Sequence, residues 1–183
     1  MKIFLTGASG FLGNRLLESL VHRDRLSLKI LQHRKVVICE NCEIVKGGLS
    51  DPEILSAAVK GVDTVVHVAA LTHSHKEDEY FRVNSAGTKN LVKAAEKMGV
   101  RRFVYVSSFA AHPQGGSYAV SKLEGEKHVK QSTLSWVIIR PSEVYGDRSS
   151  DAINKLIQWI KIFKIVPVLG KGHYSLSPIF IQD

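Results

Sequence analysis

Short apolar runs alternate with longer segments of helical periodicity along most of this chain. The apolar runs predict strands over residues 2–6, 28–31, 43–46, 64–68, 102–106 and 136–139. Apolar residues spaced three and four apart predict helices over residues 10–21, 52–60, 79–98, 118–130 and 151–164. Strands that are apolar nearly throughout and alternate with helices are typical of an α/β fold, with a doubly wound parallel sheet covered on both faces.

The composition is that of a globular protein with a sizeable core. The chain has 183 residues, of which 44% are hydrophobic and 23% charged, which excludes a long disordered chain. Its net charge of +8 fits a nucleic acid, an acidic membrane or a phosphorylated small molecule as partner, or simply a solvated basic surface. Because the cations are scattered and no nucleic-acid motif is present, we expect no nucleic-acid partner.

The sequence carries no sign of a membrane anchor or a secretory signal. No stretch approaches the ~20 apolar residues of a membrane span, and the first apolar run is too short for a signal peptide. The basic amphipathic helix over residues 151–164 could lie on a membrane surface, but such a helix more often packs on a neighbouring domain. We therefore expect no membrane partner and a cytoplasmic location.

Two cysteines and three histidines are residue types that can bind a metal. Cys39 and Cys42 form a single C-x-x-C, which can be redox-active or half of a zinc site; with no second pair, we expect two incidental thiols. His67 lies in an apolar strand, which favours a hydrogen-bonded core residue. His73 and His75 lie in a polar loop without a carboxylate placed as third ligand, so we expect no metal there, and a loop near the substrate.

Three glycines at residues 7, 10 and 13 follow the first predicted strand and open the first helix. A bound pyrophosphate needs this order of strand, glycine turn and helix. Gly7 permits a tight turn, Gly10 lets the backbone approach the phosphates, and Gly13 lets the helix pack closely on its strand. The G-x-x-G-x-x-G spacing therefore predicts a dinucleotide site at the carboxyl edge of the sheet.

The segment about 20 residues beyond these glycines is basic rather than acidic. An acidic residue at that distance would bind the ribose 2′-hydroxyl of NAD. This chain instead has His33, Arg34 and Lys35. The trio suits a 2′-phosphate, so the sequence favours NADP over NAD; the alternative interpretation is merely a basic loop.

A tyrosine and a lysine four residues apart form the second candidate site. Tyr118 and Lys122 share one face of the predicted helix over 118–130. A nearby ammonium lowers the pKa of a phenol from its reference value of about 10, which makes tyrosine a usable acid or base. Ser107 and Ser108 end the preceding strand, so a hydroxyl can hydrogen-bond a substrate oxygen in the same pocket. The combination favours catalysis over a chance surface pair.

With these residues in place, the chain resembles the extended short-chain dehydrogenase/reductase family, the NAD-dependent epimerase/dehydratases. The matching segments arrive in the family's order and cover essentially the whole chain: 6–13, 63–70, 83–88, 103–108, 118–122 with Glu124, and 140–146. The resemblance implies a Rossmann-type sheet, with a cofactor that exchanges a hydride while the protein supplies orientation and a proton route.

The resemblance also implies roles for single residues. Ser108 would hold the reacting oxygen, Tyr118 would move its proton, and Lys122 would bind the nicotinamide ribose and support the tyrosine. The other implied cofactor positions are Ser9, Phe11 and Leu12 of the turn, Leu49 on the adenine side, Ala69 and Ala70 near ribose and diphosphate, Asn84, Pro141 and Val144. Two departures from the family bear on this: Gly47-Gly48-Leu49 stands where members often carry an aspartate, and only ten positions separate Ser108 from Tyr118.

The resemblance further implies a dinucleotide-binding domain over 1–150 and only the beginning of a small C-terminal substrate domain over 151–183. Members are typically longer, so we expect a truncated chain, a natural minimal protein being the alternative. The expected function is NAD(P)-dependent hydride exchange on a secondary alcohol or ketone, plausibly of a nucleotide sugar, in a homodimer formed through the helices over 79–98 and 118–130. The alternative is a non-catalytic NAD(P)-binding sensor or scaffold.

Overall fold

The computed structural model describes residues 1–146, 152–166, 171 and 177–183. Contacts divide the chain into two compact units, Met1–Arg140 and Pro141–Asp183. The first unit contains the large sheet and its helices. In the second, the described residues form a short strand pair and one helix.

Six parallel strands form the sheet of the first unit. They are β1 (Lys2–Thr6), β2 (Ser27–Gln32), β3 (Cys42–Lys46), β4 (Thr64–His67), β5 (Arg102–Val106) and β6 (Ser135–Ile139). The spatial order is β3-β2-β1-β4-β5-β6, so the strand order reverses beside β1. At that point Thr6 lies in register with Leu31 on one side and His67 on the other. The predicted doubly wound parallel sheet of Rossmann type is confirmed, and such sheets bind ligands at the reversal point.

The helices of the first unit follow the predicted periodicity with one exception. They are α1 (Phe11–Val21), α2 (Pro52–Val59), α3 (Glu77–Tyr80), α4 (Gly87–Lys97) and α5 (Ser117–Lys130). The predicted long helix over 79–98 is present as an unbroken helical run from Glu77 to Lys97, but its middle part, Phe81–Ala86, is a π-helix between α3 and α4. In this wider turn the Thr88 hydroxyl donates to the Asn84 carbonyl oxygen at 2.6 Å. The apolar spacing is compatible with either helix type, so it did not reveal the change.

The core lies on both faces of the sheet. On one face, buried residues of α2, α4 and β5 pack together, among them Leu55, Leu91 and Phe103. On the other face, Leu17 of α1 packs on strand residues such as Leu5 and Ile30. The central strands are therefore covered on both faces, and the side chains on each face are apolar. This explains the uninterrupted apolar runs in the sequence.

The second unit pairs β7 (Val144–Tyr145) with β8 (Ile179–Phe180) in parallel, and contains α6 (Ala152–Phe163). The sequence pattern had not predicted these two strands. The predicted last helix over 151–164 stops at Phe163, because Lys164 adopts a left-handed φ of 57°; Asp151 lies outside the described residues. In the described ranges, no helix is both long and apolar enough to cross a bilayer.

The two cysteines are joined, which corrects the expectation of two free thiols. Cys39 and Cys42 form a disulfide in the connection that enters β3. Their Cα atoms are 5.5 Å apart, within the range that a disulfide requires. The sequence showed the spacing but not the loop conformation that brings the sulfurs together.

Candidate functional site

The turn between β1 and α1 is packed so closely that two of its glycines are obligatory. Gly7 has a φ of +79°, and a Cβ there would lie 2.5 Å from the Ala69 backbone nitrogen. A Cβ at Gly13 would overlap the Gly7 carbonyl oxygen. Both positions are therefore explained by contacts within the protein.

Gly10 is not explained in this way. It has an extended backbone (φ −83°, ψ 169°), and a Cβ there would meet only the Gly7 carbonyl oxygen, at 3.3 Å. The first turn of α1 contains no acidic residue, and no side chain caps Gly10. The missing side chain leaves space beside the uncapped amides at the start of α1, which is what the diphosphate of a dinucleotide fits. Of the neighbouring cofactor candidates, Ser9 is exposed, and Phe11 and Leu12 are half-buried.

The end of β2 carries the predicted 2′-phosphate residues. His33 and Arg34 are exposed and directly follow β2, in the loop that Gln32 closes by accepting a 2.9 Å hydrogen bond from the Val37 amide. A Cβ added at Gly48, beyond β3, would lie 3.4 Å from His33 Cδ2, so the two connections approach each other.

Leu49, the predicted adenine-side residue, is held against α4. A Cβ added at Gly87, the first residue of α4, would lie only 2.8 Å from the Leu49 Cβ, so the two residues are in close contact. Its carbonyl oxygen accepts a 3.0 Å hydrogen bond from Asn90 Nδ2. Leu49 is half-buried, so packing accounts for part of its surface.

Asn84, in the π-helix, fixes the chain that follows β4. Its Oδ1 accepts from the Leu71 amide at 2.8 Å, and its Nδ2 donates to the Leu71 carbonyl at 3.0 Å. Nδ2 is also 3.1 Å from Ser121 Oγ on α5. The Ala69 amide lies 3.3 Å from the Thr6 hydroxyl. Asn84 therefore organises the segment containing Ala69 and Ala70 that the resemblance assigned to the cofactor.

His67 lies between Thr6 and Thr88 in a buried row of polar side chains. Thr88 donates its proton to the Asn84 carbonyl, so it accepts from His67 Nε2, 3.0 Å away. His67 Nδ1 then accepts from Thr6 Oγ1 at 2.7 Å. Burial, followed by repulsion from Lys122, lowers the pKa of His67 to about 3. The predicted core histidine is confirmed, as a neutral Nε2–H tautomer.

Lys122 is almost fully buried at the carboxyl end of β5. Its Nζ donates to the Val106 carbonyl oxygen at 2.8 Å and lies 4.3 Å from the centre of the Tyr105 ring. Burial lowers its pKa to about 7, although attraction to Glu126 partly opposes that shift. The Lys122 ammonium thus contacts Val106, which lies two residues before Ser108. Its pKa places its titration close to neutral pH.

Tyr118 borders an open cleft of about 580 Å³. The half-buried ring packs edge-on against Tyr80, with centroids 6.1 Å apart. His75 also lines this cleft, so the loop after β4 approaches the tyrosine. Ser108 Oγ accepts from the Ala110 amide at 3.1 Å, and Ala110 lines the same cleft.

Among the residues with described positions, no group of three or more His, Cys, Asp and Glu could hold a metal ion.

Glu126 is a site residue that the sequence reasoning missed. Its carboxylate is fully buried and accepts from Ser107 Oγ at 2.7 Å and from Arg140 Nε at 2.6 Å. The Ser107 hydroxyl therefore points towards the buried side of α5. Ser108, the next residue, is left as the hydroxyl that can contact a substrate. The available signal was spacing, since Glu126 lies four residues after Lys122.

Pro141 and Val144, the remaining predicted cofactor residues, belong to the second unit, where Val144 pairs with Ile179.

A family profile described as NAD(P)H-binding matches residues 7–155, which is most of the chain. The protein belongs to this family. Its relatives include enzymes named as dehydrogenases, epimerases and reductases, so the resemblance to the extended short-chain dehydrogenase/reductases is confirmed.

Two relatives and one solved structure illustrate this membership. Ceramide reductase of Caulobacter vibrioides is 33% identical over 99% of this chain and 57% of its own length. UDP-glucose 4-epimerase of Vibrio cholerae is 33% identical over 79% of this chain and 52% of its own length. The Bordetella bronchiseptica enzyme WbmH, solved in complex with NAD⁺, superposes with a TM-score of 0.77 at 26% identity, covering 87% of this chain and 62% of WbmH. The chain thus spans little more than half of the relatives it matches.

Proposed function

We propose that this NAD(P)-binding domain belongs to an enzyme that exchanges a hydride with a secondary alcohol or ketone. The supporting observation is the arrangement on α5: Tyr118 borders the open cleft, and one turn later Lys122 ends as a buried ammonium beside the end of β5. A buried lysine with a pKa near 7 is costly for the fold, which favours a functional role. Named relatives include a reductase and an epimerase, whose activities both fit such a site.

Each residue has a distinct task in this proposal. The uncapped amides at the start of α1 bind the diphosphate, with Gly10 leaving the necessary space. Lys122 binds the nicotinamide ribose, Tyr118 transfers the proton of the reacting oxygen, and Ser108 orients that oxygen. A bound nicotinamide ring supplies the hydride exchange.

The cofactor preference that we propose is for NADP over NAD. His33 and Arg34 are exposed immediately after β2, and the strand ends in Gln32 rather than in an acidic residue. A guanidinium pairs well with a phosphate, whereas a 2′-hydroxyl gains more from a carboxylate.

The substrate class is a small molecule with a secondary alcohol or ketone, and nucleotide sugars are the first candidates. UDP-glucose 4-epimerase is among the relatives, and the cleft beside Tyr118 is open enough for a sugar. We further propose a cytoplasmic homodimer that pairs through α4 and α5, on the strength of the resemblance to the family.

The test compares lysine variants on one helix. We expect Lys122→Met to abolish turnover and weaken binding of NADP, while Lys127→Met, on the exposed side of α5, changes neither. Tyr118→Phe should lower turnover about 10²- to 10⁴-fold, the usual contribution of a general acid or base, with little change in cofactor affinity. Turnover is measured by the absorbance of reduced nicotinamide with nucleotide sugars and simple secondary alcohols.

Two results would contradict the catalytic role. If the wild-type chain binds NADP but reduces or oxidises none of these compounds, the non-catalytic sensor becomes the better interpretation. If Tyr118→Phe loses cofactor affinity together with turnover, the tyrosine supports binding rather than proton transfer.

A further inference from the structure

Two side chains of opposite charge are buried one helical turn apart on α5. Lys122 and Glu126 are both almost fully buried, and their spacing places them on the same face of the helix. Charged side chains are rarely buried to this extent unless they are paired. Within the described part of the chain, however, Lys122 forms no direct ion pair. The charge that compensates this ammonium must therefore lie beyond its immediate contacts.

The groups that touch the Lys122 ammonium are neutral. Nζ donates to the Val106 carbonyl oxygen at 2.8 Å and lies 4.3 Å from the centre of the Tyr105 ring. Burial raises the pKa of Tyr105 above its ordinary value, so this phenol stays protonated. His67 stacks on the Tyr105 ring and, with a pKa of about 3, is neutral as well. Tyr118, one turn earlier on α5, is the third titratable group on this side. Neither His67 nor Tyr105 supplies the negative charge that a buried ammonium requires.

Glu126 is the carboxylate that is fully buried among the described residues. Burial lowers the pKa of Lys122 to about 7, and attraction to Glu126 works against that lowering. The carboxylate is itself paired with Arg140 and Lys130, but these two side chains are 42% and 48% exposed. Water and salt therefore screen the two cations more than the buried carboxylate. Glu126 thus presents a negative charge to Lys122.

Glu126 also fixes the end of the strand that Lys122 contacts. Its Oε1 accepts from the Ser107 hydroxyl at 2.7 Å, and Ser107 directly follows Val106. The Ser107 amide donates to the Ile139 carbonyl oxygen at 2.7 Å, which joins the end of β5 to β6. Lys122 and Glu126 therefore bind two consecutive residues at the same strand end.

We propose that Glu126 is a positioning residue that keeps Lys122 charged at neutral pH and holds the strand end to which the ammonium is anchored. Without the carboxylate, the buried amine would lose its proton at a lower pH, because desolvation would act on it unopposed. The charge of Lys122 is a property of the chain itself. Its consequence for the dinucleotide rests on the proposed function, in which Lys122 binds the nicotinamide ribose.

The first test measures the charge of Lys122 in the chain without ligand. The carbon resonance of Lys122 Cε, assigned by its absence from the spectrum of Lys122→Met, is followed by NMR against pH. The wild-type midpoint should lie at about 7. Glu126→Gln keeps the size of the side chain but removes its charge, and should lower the midpoint by about one pH unit. Glu124→Gln removes the same charge from the same helix and should leave the midpoint unchanged.

A double variant keeps the test valid if Glu126→Gln fails to fold. Glu126→Leu combined with Arg140→Leu removes the ion pair as a whole, so that no lone charge stays buried. The net charge of the chain is the same as in the wild type. The Lys122 midpoint should nevertheless fall in this variant, because the buried anion is gone.

The affinity for NADP gives a second readout that a merely structural role would not reproduce. When two midpoints differ by about one pH unit, the ammonium fractions differ about tenfold above both midpoints and hardly at all below them. Calorimetric titration should therefore find that Glu126→Gln binds NADP about tenfold more weakly than the wild type at about pH 8 and nearly equally at about pH 5.5. Disturbed packing would instead weaken binding at both pH values.

Two results would overturn the proposal. One is an unchanged Lys122 midpoint in Glu126→Gln and in the double variant, which would make Glu126 a packing residue whatever the NADP affinity. The other is an equal fall of the midpoint in Glu124→Gln, which would indicate an effect of net charge alone. A lowered midpoint that the NADP affinity does not follow supports the role of Glu126 and contradicts the proposed binding of the ribose by Lys122.

Discussion

The Arg140 guanidinium binds the buried Glu126 carboxylate through two hydrogen bonds, Nε to Oε1 at 2.6 Å and Nη2 to Oε2 at 2.7 Å. Burial opposes ionisation of Glu126, but hydrogen bonds from Arg140, Ser107 and Lys130 outweigh it and hold the pKa of the carboxyl below its ordinary value. Ser107 follows β5 and Arg140 follows β6. Glu126 therefore joins α5 to the carboxyl ends of two strands, one turn beyond Lys122.

Removing the arginine should leave a buried charge without its main partner. We expect Arg140→Leu to lower the free energy of unfolding by about 2 kcal/mol, because the buried Glu126 carboxylate loses its main partner while Ser107 and Lys130 remain, and Arg140 itself is 42% exposed. The measurement is urea unfolding at neutral pH. Arg101→Leu is the control, since its pair with Asp63 is exposed and should contribute less than about 1 kcal/mol. Equal losses in the two variants would show that burial of Glu126 does not strengthen its pair.

The glycines of the first turn should separate stability from cofactor binding. Gly13→Ala should destabilise the fold strongly, because its Cβ would overlap the Gly7 carbonyl. Gly10→Ala should cost less than about 1 kcal/mol, since its extended backbone suits alanine. The same variant should nevertheless weaken NADP binding at least tenfold in a fluorescence titration. Unchanged NADP affinity in Gly10→Ala would show that the diphosphate does not bind at this turn.

His67 should make the protein sensitive to mild acid. Its folded pKa of about 3 lies below the ordinary 6.5, so between these values the unfolded chain binds the additional proton. The free energy of unfolding should therefore fall as pH decreases from 6.5, by up to about 1.4 kcal/mol per pH unit. His67→Gln removes this titration, and its stability should depend less on pH than that of the wild type. Identical pH profiles would mean that His67 is not held neutral by the fold.

The basic residues after β2 should determine which dinucleotide binds better. Arg34→Ala should weaken NADP binding about tenfold or more, since charged hydrogen bonds contribute ~1.5–3 kcal/mol, while NAD binding changes little. Calorimetric titration of both dinucleotides measures the ratio. Arg23→Ala, an exposed arginine beyond α1, serves as control and should leave both affinities unchanged. A parallel loss for NADP and NAD would make Arg34 a general phosphate contact.

Local sequence signals predicted those features that depend on neighbouring residues. The apolar runs located all six strands of the large sheet to within one residue at each end, because strands at the centre of a parallel sheet are buried on both faces. The tight turn at Gly7 and the close packing at Gly13 were predicted from their place between strand and helix. Tyr118 and Lys122 were paired by spacing alone, since a helix fixes the geometry of residues four apart.

The tertiary structure decided what depends on residues distant in the chain. The partner of Glu126 is Arg140, and the tautomer of His67 follows from Thr6 and Thr88, which the sequence spacing does not connect. The π-helix around Asn84 and the disulfide of Cys39 were likewise invisible, because periodicity does not report a wider turn or a loop's path. Sequence determines where buried apolar residues recur, whereas the polar groups that meet inside the protein depend on how the elements pack.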